Sequence, residues 1–141
     1  MASETSQAGS TVVPGLRYDD PEAAVAFLCS AFGFADRGVF RDPHGAIVHA
    51  QLTLGNGMIM LGPNSNPELR ERMAVPAEVG GRSTQAIFVV VEDADSHLVK
   101  AVAGGAVILK GIRDQDYGGR GYTCADLEGH VWEFGTYDPW K

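Results

Sequence analysis

Residues 84–105, TQAIFVVVEDADSHLVKAVAGG, read as one strand followed by one helix. Thr84–Glu92 is a strongly apolar run of strand length. Asp93 stands in the helix N-cap position, and Gly104-Gly105 ends the helix. Ala94, Leu98 and Ala101/Val102 recur at helical spacing and form an inward face. The same order occurs earlier in residues 11–33, TVVPGLRYDDPEAAVAFLCSAFG. There the spacing predicts a strand over Thr11–Asp19, with Pro14 and Gly15 marking an edge or bulge. Asp20 is the cap, Pro21 the first helical residue, and Gly33 the terminator. Val25, Leu28 and Phe32 share one face of that helix.

Three strands follow each helix. After the first come Phe34–Arg41, Ile47–Leu54 and Met58–Leu61, separated by Asp42-Pro43-His44-Gly45 and Gly55-Asn56-Gly57 turns. After the second come Ala106–Ile112, Tyr122–Ala125 and Val131–Tyr137. The helix caps Asp20 and Asp93 are 73 residues apart, and the hairpin glycines Gly57 and Gly129 are 72 apart. A period this long describes a duplicated βαβββ unit rather than a solenoid. The expected organisation is a flexible tail (1–10), a first module (11–63), a linker or lid (64–82) and a second module (83–141). Glu68–Met73 is a short helix candidate within the linker, bracketed by Pro67 and Pro76. Each four-stranded sheet covers one face with its own helix, leaving the other free to curl around a cavity.

Composition narrows the function classes. The chain has 141 residues, 45% of them hydrophobic, which suits a folded core and argues against wholesale disorder. Eleven Lys+Arg against 18 Asp+Glu give a formal charge of −7. That balance disfavours nucleic acid and anionic membranes as partners, since both are polyanions. No apolar run reaches the ~18–20 residues of a spanning helix, and MASETSQAGS has neither a basic nor an apolar signal region. Only Cys29 and Cys124 are present, and free thiols in a cytoplasmic protein are the expectation. No C-x-x-C or H-x-x-x-H spacing marks a local zinc site.

Four stretches carry a resemblance: VVPGLRYDDPEAAVAFLCSAFGF, IVHAQLTLGNGMIMLGP, QAIFVVVEDADSHLVKAVAGGA and DYGGRGYTCADLEGHVWEFGTYDPW. Together they cover about residues 12–140, and the D-x-E-G-H-x-W-E-F segment from Asp126 to Phe134 is the most specific. The chain resembles the vicinal-oxygen-chelate superfamily: glyoxalase I, bleomycin-resistance proteins, fosfomycin-resistance enzymes and extradiol dioxygenases. The resemblance implies an α+β fold of two βαβββ modules, with curled mixed sheets around a cavity, and a homodimer. It also implies, in metal-bearing members, a divalent ion held by His, Glu and Gln on the first and last strand of each module. Those positions fall here on Val13, Met60, Gln85 (or Ala86, by the alternative count) and Glu133. One certain donor and at most two do not make a three- or four-ligand site, so no metal or other cofactor is expected.

Glu133 alternates with Trp132 and Phe134, which places it on the cavity side as the candidate catalytic residue, an acid or base. Arg17, His49 and Gln51 share that side by strand parity, and Met60 and Gln85 come from the carried-over positions. Tyr117, Arg120 and Tyr122 surround a polar Gly-rich loop suited to an aromatic or cationic ligand. His97, in a helix, is read as exposed. Three functions stay open. The first is a small-molecule-binding protein of bleomycin-resistance type, without the usual metal, holding an aromatic or amphipathic ligand. The second is a divalent-metal-dependent lyase or dioxygenase with an atypical ligand set. The third is a metal-free acid/base enzyme using Glu133.

Overall fold

The computed structural model describes residues 9–141; the expected tail over 1–10 lies mostly outside the described residues. The described chain forms two compact units, one of residues up to 29 plus 33–74, the other of residues 30–32 plus 75–141. Apart from residues 30–32, the boundary falls between Ala74 and Val75.

The first unit contains β1 (Gly15–Tyr18), α1 (Pro21–Phe27), β2 (Ala35–Arg41), β3 (Ile47–Leu54) and β4 (Gly57–Pro63). Its sheet has the order β1-β4-β3-β2, with β1 parallel to β4 and the other pairs antiparallel. β1 begins at Gly15 rather than Thr11, and Pro14 just before it has no N–H for a ladder. The Pro14 carbonyl still accepts from Met60 N at 2.9 Å. Asp20 caps α1 by accepting from Ala23 N at 3.1 Å. Leu16, Tyr18, Ala50, Leu52, Ile59 and Leu61 are buried on the sheet face beneath α1, together with Ala24 and Phe27 of the helix. A short α2 (Pro67–Arg70), capped by Asn66, stands where a helix was expected over Glu68–Met73.

α1 does not stop at Phe27. It runs on as a π-helical turn, Leu28–Phe32, before Gly33 ends it in the left-handed region at φ 89°. The end of this turn, Ser30–Phe32, is packed in the second unit. Phe32 lies 4.7 Å from Phe134 and 5.3 Å from Trp132, ring centre to ring centre.

The second unit repeats the first: β5 (Ala86–Val90), α3 (Ala94–Ala103), β6 (Val107–Asp114), β7 (Arg120–Ala125) and β8 (Val131–Gly135). Its order is β5-β8-β7-β6, again with the two outer-to-inner strands β5 and β8 parallel. Asp93 caps α3 through Ser96 N at 3.1 Å. The core is Trp132, Phe134, Tyr122 and Cys124 on the sheet, with Ala94 and Ala101 on α3. Both mixed four-stranded sheets are thus α+β, as the duplicated pattern requires. The two registers are equivalent: Met60 pairs with Gly15 and Gln51, and Glu133 pairs with Phe88 and Thr123.

The D-x-E-G-H-x-W segment is a structural lock. Asp126 is 3% exposed. One carboxylate oxygen accepts from Glu128 N and His130 N, both at 3.0 Å, and the other from Trp132 Nε1 at 3.1 Å. The turn before β8 and the largest core side chain are held by one carboxylate. Gly129 has φ 93°, which a side chain would strain, and a Cβ there would also meet Pro76 at 3.1 Å.

Candidate functional site

Alternation along β8 decides what faces where. Trp132 and Phe134 are fully buried toward α3, so Val131, Glu133 and Gly135 point to the opposite face. Register then builds a row across the sheet: Phe88 beside Glu133, Glu133 beside Thr123, and Thr123 beside Lys110. A second row runs Arg113, Gly121, Gly135. The two glycines supply no side chain, and the Phe88 ring leans over Gly135, with its Cζ 3.2 Å from where a Cβ would stand. The result is a hollow of about 120 Å³ on the open face of the second sheet. Glu133 and Thr123 line it half-buried, Phe88 and Tyr117 contribute rings, and Lys110 and Arg113 contribute cations from the edge strand.

Glu133, Tyr117 and Tyr122, all expected from the sequence, border this hollow. Tyr117 is carried on the β6–β7 hairpin, where its ring stands edge-on to Tyr137 at 5.1 Å. Gln115 N donates to Gly119 O and Gly118 N to Gln115 O, closing that turn. Phe88, Lys110, Arg113, Gln115 and Thr123 were not anticipated. Strand parity from Glu133 would have found Thr123, because the two are direct cross-strand partners. Lys110 and Arg113 were hidden by irregular register along β6, between Ile108 and Lys110 and again between Lys110 and Arg113.

Two expected site residues, Arg120 and Gln85, are placed elsewhere, and Tyr122 borders the hollow with its side chain turned away. Tyr122 is 2% exposed and points into the core, because it shares parity with Cys124 rather than Thr123. Its hydroxyl lies 2.6 Å from His97 Nδ1. His97 Nε2 lies 2.9 Å from the Phe32 carbonyl, which can only accept, so Nε2 carries the proton and the Tyr122 hydroxyl donates to Nδ1. His97 is therefore a half-buried core group stacked 4.1 Å from Phe134, not the exposed residue its sequence position suggested. Burial lowers its pKa below the usual imidazole range; the Phe32 carbonyl opposes this and Lys100 adds to it. Burial pushes the Tyr122 phenol up. Arg120 is clamped by Asp95 of α3 at 2.9 and 3.2 Å and by Asp114 at 3.2 Å. It fastens helix to hairpin instead of waiting for a ligand. Gln85 lies just before β5, exposed and outside the lining of the hollow.

In the first unit, Arg17, His49, Gln51 and Met60 do share the sheet face opposite α1. Met60 pairs with both Gly15 and Gln51, and Arg17 pairs with Gly62. The Arg17 guanidinium lies over Gly62, its Nη1 2.7 Å from where a Cβ would be. His49 Nε2 is 3.2 Å from Gln51 Oε1, and its ring is 5.8 Å from that of Phe40. This is a polar wall with an adaptable thioether beside it.

The donor chemistry does not fit the family's divalent ion. Of the carried-over positions, Val13 is aliphatic, Met60 is a soft thioether, and only Gln85 and Glu133 offer oxygen. Among the described residues no group of three or more His, Cys, Asp and Glu side chains is arranged to hold a metal. Both cysteines are free thiols, and burial pushes Cys124 up to about 12. None of the helices described is long and apolar enough to cross a membrane.

Comparison with known proteins agrees with the architecture. An uncharacterized protein of Mycobacterium bovis is 30% identical over 122 residues, spanning 86% of this chain and 80% of its own length. The crystal structure of TioX from Micromonospora sp. ML1 is 37% identical, covers 89% of this chain and 94% of its own, and superposes with a TM-score of 0.67. A fosfomycin resistance protein, FosX, from Listeria monocytogenes, solved with Mn(II), shares the fold at 18% identity and a TM-score of 0.62, covering 92% of this chain and 91% of its own. The family model for the glyoxalase, bleomycin resistance protein and dioxygenase group matches residues 10–134. The chain belongs to the Glyoxalase/Bleomycin resistance protein/Dioxygenase superfamily.

Proposed function

We propose that this protein is a small-molecule-binding member of the superfamily that works without the divalent ion, as a cytoplasmic homodimer. Its aromatic or amphipathic ligand lies against the open face of the second sheet. The observation that carries this reading is the hollow at Glu133: aromatic walls from Phe88 and Tyr117 around a half-buried carboxylate and a hydroxyl. The lining is mostly polar, and the two rings give an apolar surface beside a carboxylate and a hydroxyl that can orient a ligand. The weak donors at Val13, Met60 and Gln85 beside Glu133 support the metal-free part.

The test is a calorimetric titration of chelator-treated protein with 2-naphthamide, an uncharged aryl probe. A Kd of about 0.1 mM or tighter is expected, unchanged by added Mn²⁺ or Zn²⁺. Thr123→Trp, which fills the hollow, should weaken it at least about 10-fold. Binding that appears only with metal would contradict the reading, as would a stoichiometric metal content that Glu133→Ala removes. A second reading, acid–base catalysis by Glu133 without metal, is favoured by one further observation. Among the described residues the Glu133 carboxylate has no ion pair or side-chain hydrogen bond. It predicts deuterium exchange into a bound carbon acid, lost in Glu133→Gln.

A further inference from the structure

The hollow holds more charge than an aryl-binding site requires. Lys110 and Arg113 both stand on β6, the edge strand of the second sheet, and both line the same hollow. Among the described residues neither makes an ion pair or a side-chain hydrogen bond. This contrasts with Arg120 on the neighbouring strand, which is neutralised by two aspartates, and with Arg41, which is held by Glu22. Glu133 is separated from Lys110 by the whole of β7, because Thr123 sits between them in the row. With strands about 4.8 Å apart, the two backbones are about 10 Å from each other. The hollow therefore presents two cations at one rim and one carboxylate deeper in, a local excess of positive charge. In a chain of net charge −7, that excess runs against the whole surface.

The space between these groups has a defined shape. Gly121 and Gly135, in the same row as Arg113, add no side chain to the hollow, and the Phe88 ring lies over Gly135. A planar ring packed against Phe88 would reach toward the edge strand with whatever substituent it carries. We infer that the hollow is a site for an aromatic carboxylate. The ring lies against Phe88 beside Thr123, the carboxylate lies between Lys110 and Arg113, and a ligand hydroxyl or N–H meets Glu133. Arg and Lys suit this role because charge-assisted hydrogen bonds to a carboxylate are about twice as strong as neutral ones. The inference rests on the proposed small-molecule function and adds the charge of the ligand to it.

Three probes sharing one ring separate the two: 2-naphthoate (anion), 2-naphthamide (neutral) and 2-naphthylmethylamine (cation), each titrated calorimetrically into chelator-treated protein at low salt. The naphthoate is expected to bind about 10-fold tighter than the amide, with the amine weakest. Lys110→Met and Arg113→Met should each lower the naphthoate-to-amide affinity ratio, and the double variant should bring it to about unity. Both positions are exposed, so an unchanged thermal midpoint is the accompanying check that each variant folds. Equal affinity for all three probes would overturn this inference and leave the aryl-binding function standing. Tightest binding of the amine would also overturn it, because Glu133 would then govern charge selection. No binding of any probe would overturn both.

Discussion

At the scale of single residues, Asp126 is the clearest case of a motif doing structural work. It is the one charged side chain buried among the described residues, and it meets two backbone N–H groups and the Trp132 indole. Replacing it with Ala strands those donors, so Asp126→Ala should cost about 3 kcal/mol, read as a lower urea midpoint with an unchanged slope. The sequence made the D-x-E-G-H-x-W segment visible as a family mark. Its role was not legible, because nothing in a linear pattern tells a carboxylate aimed at a ligand from one aimed at its own turn. His97 is a similar case. Helix position suggested exposure, but its ring fills a gap between Phe134 and the Tyr122 hydroxyl. Burial depresses its folded pKa, so the unfolded chain binds the extra proton more readily. Its contribution to stability is whole above the unfolded value near 6.5 and is lost as pH falls below it toward the folded value. Thermal midpoints of the native protein should therefore drop between about pH 7 and pH 5, and those of His97→Gln should drop less over the same interval. Parallel curves for the two proteins would contradict this.

At the scale of elements, the β6–β7 hairpin is where the fold builds the candidate site. Gly119 has φ +72°, and a Cβ there would come within 2.6 Å of Tyr137 N. Gly45, in the β2–β3 turn, has φ +87° with nothing within 4 Å. Both substitutions to Ala carry the strain of a left-handed backbone, about 1 kcal/mol. Only Gly119→Ala must also push the hairpin off Thr136 and Tyr137, just after β8, so its loss should clearly exceed that of Gly45→Ala in denaturant melts. It should also weaken aryl-probe binding, because Tyr117 rides on the same turn. Most elements were readable from caps, glycines and period: Asp20, Asp93 and Gly33 mark the helix ends the structure shows, and β3 has the expected bounds. What parity could not supply was the register of β6. Its irregularities shift side chains from one face to the other, so Lys110 and Arg113 stayed out of the sequence-based site. Proximity to a Gly-rich loop points Tyr122 and Arg120 toward a ligand, whereas strand parity turns both side chains to the α3 side.

At the scale of the whole molecule, the duplication explains why one unit carries a carboxylate where the other carries a thioether. Glu133 and Met60 hold equivalent positions in equivalent sheets, and only their side chains have diverged. The proposed homodimer has a physical motive. Val107 and Leu109 on the edge strand β6, and Val99 and Val102 on α3, are all exposed apolar residues. Light scattering at micromolar concentration should give twice the chain mass, and a monomer would count against the dimer. The central claim is that a chelator-stripped chain takes an aryl ligand at the face bearing Glu133. Backbone amide shifts recorded in EDTA while 2-naphthamide is added test it directly. The account predicts saturable shifts concentrated at Phe88, Gly121, Thr123 and Glu133, reproduced unchanged when Zn²⁺ replaces the chelator. Shifts that need the metal, or that cluster away from these four residues, would contradict it.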